Sequence, residues 1–132
     1  MNIGHFPGLK GYDAVLISCG QDELDGLRGV AREAVSSRLP LSINDYCFVA
    51  QTIPADLQLF AAAIGVLVPS LANRFIWCID SSLYSSLDGL LEGLVGPSGH
   101  QYFDLDGRDA ILVVSVGEYD DNWWHSHAEP AL

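Results

Sequence analysis

Several side chains in this 132-residue chain are spaced so that chemistry is conceivable. Cys19 stands between an apolar run and a helix-like pattern, where a helix dipole can lower a thiol's pKa and make a nucleophile. A cysteine phosphatase would need an arginine closing a phosphate loop a few residues on. Gly20 to Gly26 instead holds Asp22, Glu23 and Asp25, and no arginine. Carboxylates beside a thiol oppose its ionisation, so Cys19 is expected to be a packed core thiol. In His125-Ser126-His127, an extended segment would put two imidazoles on one side, with Glu118, Asp120 or Asp121 near enough in sequence to complete a metal site. His100 is a further conceivable ligand. Such HxH pairs arise readily in surface tails, and a solvated tail is the expectation. Asp104 and Asp106 share a strand face with Tyr102, which is also how an antiparallel sheet presents its wet side. There is no GxSxG, no phosphate-cradling glycine loop and no dinucleotide fingerprint, so no catalytic residue, metal or cofactor is expected.

What remains is a concentration of acid and aromatics near one end. From Asp104 to Asp121 six carboxylates, Asp104, Asp106, Asp109, Glu118, Asp120 and Asp121, have only Arg108 as a countercharge. Tyr119, Trp123 and Trp124 sit among the last of them. Exposed aromatics framed by charge have the composition of a protein-binding hot spot, with aromatic anchors for affinity and charge for steering. Adjacent residues of an extended segment point in opposite directions, so one of the two tryptophans can cap the core while the other stays outside. The expected partner-binding residues are Asp104, Asp106, Glu118, Tyr119, Asp120, Asp121, Trp123 and Trp124.

Composition agrees with a protein partner. Six basic against 17 acidic side chains leave a net charge of −11, and Lys10 is the only lysine. Nucleic-acid binding and adhesion to anionic membranes both draw on Lys and Arg, so both are excluded. With 49% apolar residues the chain is no disordered acidic tail. Cys19, Cys47 and Cys78 are an odd number without metal-ligand spacing and read as reduced thiols of a cytoplasmic protein. The N-terminus lacks a signal-peptide pattern, and the longest apolar stretch, Leu57 to Leu71, is too interrupted to span a membrane.

The elements that must position these residues follow from periodicity. Residues 1–12, with three glycines and a proline, are expected to be an irregular lead-in. Asp13 to Ser18 predicts a buried strand. Asp22 is a candidate helix cap with Asp25 three residues on, and Leu24, Leu27, Ala31, Ala34 and Val35 form a helical stripe that ends before Pro40. Leu41 to Asn44 predicts a strand, as does Tyr46 to Ala50, and Leu57 to Ile64 fits either a strand or a buried helical turn. Arg74 to Ile79 is an aromatic and β-branched strand, and Leu83, Leu87, Leu90, Leu91 and Leu94 predict a second helix. His100 to Leu105, Asp106-Gly107 and Ala110 to Val116 predict a β-hairpin, with residues 120–132 an irregular acidic and aromatic tail. A single α+β domain over residues 1–132, a mostly antiparallel sheet with two helices on one face, buries both leucine stripes.

Gly11-Tyr12-Asp13-Ala14-Val15, the run from Gly99 to Leu105 and the run from Val114 to Tyr119 together resemble pieces of small acidic bacterial immunity proteins, the antidotes encoded beside polymorphic or contact-dependent toxins. The resemblance is strongest over the C-terminal hairpin, and residues 40–73 stand outside it. It implies a cytoplasmic, non-enzymatic protein that binds a cognate toxin and blocks its active site. A −11 surface suits a basic partner, and a nuclease cleft fits best because carboxylates can stand in for phosphates. The alternative is a small metal-dependent hydrolase using His100, His125 and His127 with Asp120 or Asp121. A self-associating subunit, pairing through Ala110 to Val116, is a third reading, and the sequence leaves monomer and homodimer open.

Overall fold

The structure, a computed structural model, describes residues 1–9, 11–37, 41–46, 51–52, 55–61, 74–79, 82, 84–96, 98–105 and 110–127. Strands β1 (Asn2–Leu9) and β2 (Tyr12–Cys19) form an antiparallel hairpin, with Asn2 opposite Ser18 and Leu9 opposite Tyr12. Helix α1 (Gln21–Ser37) follows, then β3 (Leu41–Ser42), a 3-10 turn (Ile43–Asp45), β4 (Gln51–Thr52), β5 (Asp56–Ala61) and β6 (Arg74–Ile79). Helix α2 (Tyr84–Glu92), the strands β7 (Gly99–Asp104) and β8 (Ile111–Val116), and helix α3 (Asp121–His127) complete the chain. The strands make a five-stranded sheet in the order β4-β1-β2-β8-β7 and a three-stranded sheet in the order β3-β5-β6.

The molecule is thus a single α+β domain, as the patterning predicts, but both sheets are mixed. β7 and β8 pair antiparallel, while β2 and β8 pair parallel from Ala14–Ile111 to Cys19–Val116, and β5 and β6 also run parallel. The reason is visible in the residues. β2 and β8 are nearly unbroken apolar runs, buried on both faces, which is the composition of parallel strands covered on both sides.

One core fills the space between the first face of the five-stranded sheet, the three-stranded sheet and helices α1 and α2. It includes Ile3, Val15, Ile17, Leu112 and Val114 from the large sheet, Leu57, Leu59, Phe75 and Trp77 from the small one, and Leu24, Leu27 and Leu91 from the helices. Each such side chain, fully buried, contributes about 1.5–3 kcal/mol of hydrophobic stabilisation. Arg28 of α1 grips Asp88 of α2 through two bonds of 2.8 and 2.9 Å, tying the helices together at the rim. His5 lies on the same sheet face, 2.5 Å from the Asp13 carboxylate and with its ring 4.7 Å from that of Phe75. Helix α1 begins at Gln21, one residue before the expected cap: the Glu23 carboxylate reaches back to accept the Gly20 N–H at 2.9 Å, and Asp22 lies inside the first turn.

Two further expectations are corrected. Residues 1–12 are not an irregular lead-in, because Asn2–Leu9 is a strand between β4 and β2. Gly4 reads as a breaker in sequence, yet it is the place where the sheet must be bare: a Cβ there would lie 2.9 Å from Trp124 Cζ3 and 2.8 Å from Phe6 Cε2. Nor is the acidic and aromatic segment after Tyr119 wholly irregular. Asp121–His127 is helix α3, and it covers the second face of the five-stranded sheet, opposite α1 and α2. The proposed strand Tyr46 to Ala50 lies outside the described residues from 47 on, as do Ile64, Cys47 and the Asp106-Gly107 turn.

Candidate functional site

The second sheet face begins as a row of small and polar side chains. Ser18, Ser115 and His100 are neighbours across β2, β8 and β7. Ser18 and Ser115 are buried, so each hydroxyl needs a partner, and both find it in the segment that leaves β8. Gly117, at φ +71°, turns that segment back over the sheet in a left-handed conformation that favours glycine. The Ser115 hydroxyl then donates to Glu118 Oε1 at 2.5 Å, the Ser18 hydroxyl donates to the Tyr119 carbonyl at 3.0 Å, and His100 Nδ1 lies 3.0 Å from both Glu118 oxygens. A serine, a carboxylate and an imidazole therefore meet, but in the wrong order for nucleophilic catalysis. The carboxylate stands between the other two, and the hydroxyl that would attack is fully buried. The cluster fixes the direction of the chain into α3.

Asp120 caps that helix. Its Oδ1 accepts the Trp123 N–H at 2.8 Å, and its carbonyl accepts the Trp124 N–H at 3.1 Å. Successive helical residues are turned by about 100°. Trp124 therefore points into the sheet, 0% exposed over Gly4 and beside Leu16, Ala14 and Val113, while Trp123 lies along the helix flank, half-buried. Only one of the two tryptophans reaches the surface, through helical geometry and not through strand alternation. Trp124 is accordingly a core residue and is withdrawn from the partner-binding set.

Trp123 sits at the centre of an aromatic group. Tyr119 meets it edge-on at 4.6 Å and Phe6 at 5.2 Å, while the His127 imidazole stacks on it at 4.1 Å and only 14° from parallel. His127 Nδ1 bonds the Trp123 carbonyl at 2.7 Å, which holds the stack in place. Between this group and the end of β1 runs an open groove of about 410 Å³, with Tyr119, Trp123 and His127 on one bank and Phe6, Pro7 and Leu9 on the other. On the far side of Tyr119 lies a second hollow of about 390 Å³, whose lining includes Ser18, Glu23 and Asp121. The Met1 amine pairs with Glu23 there.

The expected site residues are thus partly gathered. Tyr119 and Trp123 form the groove wall, Asp120 adjoins it through its bond to Trp123, Asp121 faces the second hollow, and Glu118 anchors the approach. Asp104 is exposed on the same sheet face but at the opposite end of β7 from His100, about 13 Å along the strand. Asp106 lies outside the described residues. Sequence reasoning missed Phe6, Pro7 and Leu9, since the groove's second bank comes from a segment read as irregular.

The ligand geometry proposed for a metal does not survive the helix. His125 and His127 are separated by about 200° around α3 and cannot converge, and His127 is committed to Trp123. Among the described residues no group of three or more His, Cys, Asp or Glu is placed to hold a metal ion. Cys19 is a buried free thiol, 6% exposed, and burial pushes its pKa up to about 11, with the Met1 amine pulling slightly the other way. That is the opposite of an activated nucleophile. Among the described residues no helix is long and apolar enough to cross a membrane.

Fold and site together define an acidic α+β domain that carries an aromatic groove at the end of one sheet face. No known protein family, curated protein or solved structure matches the chain.

Proposed function

We propose that this protein is a stoichiometric, non-enzymatic inhibitor of the immunity-protein kind, acting in the cytoplasm on a cognate toxin with a basic binding face. The observation that supports it most is the Tyr119–Trp123 ridge, half-buried aromatics in edge-on contact at the start of α3, with the helix-capping Asp120 between them in the chain, on a protein of net charge −11. Rigid aromatic anchors bring contact area at low entropic cost, and surrounding carboxylates steer a cationic partner into register. A nuclease is the favoured target class, because its phosphate-binding cleft attracts carboxylates. Nothing in the Ser115–Glu118–His100 cluster or at Cys19 offers a competing reaction.

The test is a titration of the purified chain against the polypeptide encoded beside it, with that polypeptide's enzymatic activity as the readout. One-to-one inhibition is expected, and the combined Asp120→Asn, Asp121→Asn and Trp123→Ala variant should weaken it by a factor of about 100, in line with losing a hot-spot aromatic. Full inhibition by the variant would move the interface elsewhere on the molecule.

A further inference from the structure

From the groove's chemistry we infer that its occupant is an arginine side chain of the partner, a refinement that rests on the protein-binding reading above. Three ring systems, Phe6, Tyr119 and Trp123, line an open and shallow groove, and electron-rich ring faces attract a cation. A flat, weakly hydrated guanidinium stacks on such faces and keeps its edge donors for carboxylates, whereas an ammonium is compact and strongly hydrated. The His127 imidazole already stacks on one face of the Trp123 indole at 4.1 Å, an intramolecular example of a flat nitrogen-bearing group on this surface, so the guanidinium would use the Phe6 and Tyr119 side of the groove. The carboxylate nearest the groove wall along the chain is Asp120, which directly follows Tyr119 and bonds the Trp123 backbone N–H, and it is the one that would meet the guanidinium edge. An arginine finds stacking, charge and hydrogen-bond acceptors there together. An aliphatic side chain would use only the first, and the net charge of −11 favours the cation from long range.

The probe is N-acetylarginine amide, titrated into the intact chain while the indole N–H resonances of Trp77, Trp123 and Trp124 are followed by NMR. A saturable millimolar shift confined to Trp123 and its neighbours is expected, with Trp77, buried in the other core, unmoved. The citrulline analogue has the same shape without the charge and should bind about tenfold more weakly, as a cation–π contact backed by a carboxylate requires. Asp120→Asn, which keeps the helix cap, should weaken arginine binding several-fold without shifting the tryptophan signals of the free protein. No saturable shift at Trp123, or equal binding of arginine and citrulline, would overturn the inference. Either result would leave inhibition of the neighbouring polypeptide intact if the broader reading is right; failure of both titrations would remove that reading as well.

Discussion

The two faces of the five-stranded sheet solve different problems with the same strands. The first face, from Ile3 through Val15 and Ile17 to Leu112, Val114 and Val116, is large and aliphatic and lies under two helices and a second sheet. The second face mixes the small and polar Gly4, Ala14, Ser18 and Ser115 with Leu16 and Val113, and is covered by a seven-residue helix whose only fully buried side chain is Trp124. On the first side the sheet, the helices and the second sheet all supply volume, whereas on the second side Leu16 and Val113 of the strands share it with a single indole of the cover. A cover that depends on one indole must end abruptly, and the groove of Phe6, Tyr119 and Trp123 lies where it ends. Beyond it Tyr102 is 48% exposed on the same face. The first face is built for stability and the second leaves room for contact.

The sharpest way to break this contrast is Trp124→Ala. If the second face is a core in its own right, the loss should approach that of Trp77→Ala on the first face, about 3–5 kcal/mol for each. Urea unfolding of both variants measures it, and a loss below about 1 kcal/mol at Trp124 would reduce α3 to a loosely attached cover. Gly4→Ala probes the same contact from the sheet side. Its Cβ would enter the space of Trp124 and Phe6, and overpacking of this kind costs about 1–3 kcal/mol. Combining it with Trp124→Phe should recover part of the loss. At Gly29 in α1 a new Cβ meets open space, so Gly29→Ala should instead stabilise, by about 0.5–1 kcal/mol.

The same contrast explains what the sequence made legible. The first face was readable because its residues carry their own pattern: Leu24, Leu27, Ala31 and Ala34 recur at helical spacing, and β6, β7 and β8 are aromatic, alternating or continuously apolar. The second face was not, because its signals are complements and lack periodicity. Gly4 is small on account of a tryptophan 120 residues away, and Pro7, Gly8 and Gly11 punctuate a hairpin that looks like a loop when read alone. One local signal was present, since Asp120 preceding Asp121-Asn122-Trp123-Trp124 is an N-cap followed by an acidic first turn. The aromatic and acidic wall of the groove was therefore recoverable from its residues, and its β1 bank was not, because pairing of Asn2–Leu9 with β2 is what brings Phe6 and Leu9 into place.

That cap offers a test with a smaller effect than either change at the Gly4–Trp124 contact. Asp120→Ala removes the acceptor for the Trp123 N–H and should destabilise by about 1 kcal/mol, whereas Asp120→Asn should be close to neutral. Because α3 covers one face only, the effect should be local. Amide exchange should speed up across Asp121–His127 and stay unchanged in α1. Uniform acceleration throughout the chain would mean that the two faces unfold as one unit.

An effect of similar size distinguishes how the rims are tied. On the first face, the Arg28 guanidinium bonds hold the Asp88 carboxyl below its ordinary value of 3.8, burial opposes this, and the Arg28 charge assists it. A carboxyl depressed in the folded state stabilises fully above its unfolded pKa, and that contribution disappears as pH falls through the folded value. Arg28 stays protonated throughout, so Asp88 alone sets the pH range of the loss, which begins near pH 4 and deepens below it. Both side chains are about three-quarters or more buried, yet the pair lies at the rim, so it is worth only about 1 kcal/mol. Asp88→Asn should remove that amount at neutral pH and flatten the acid limb of the stability curve. A variant that loses stability in parallel with the parent below pH 4 would assign the acid sensitivity to other carboxylates, and the Arg28–Asp88 pair would then contribute little to holding the helix pair over the first face.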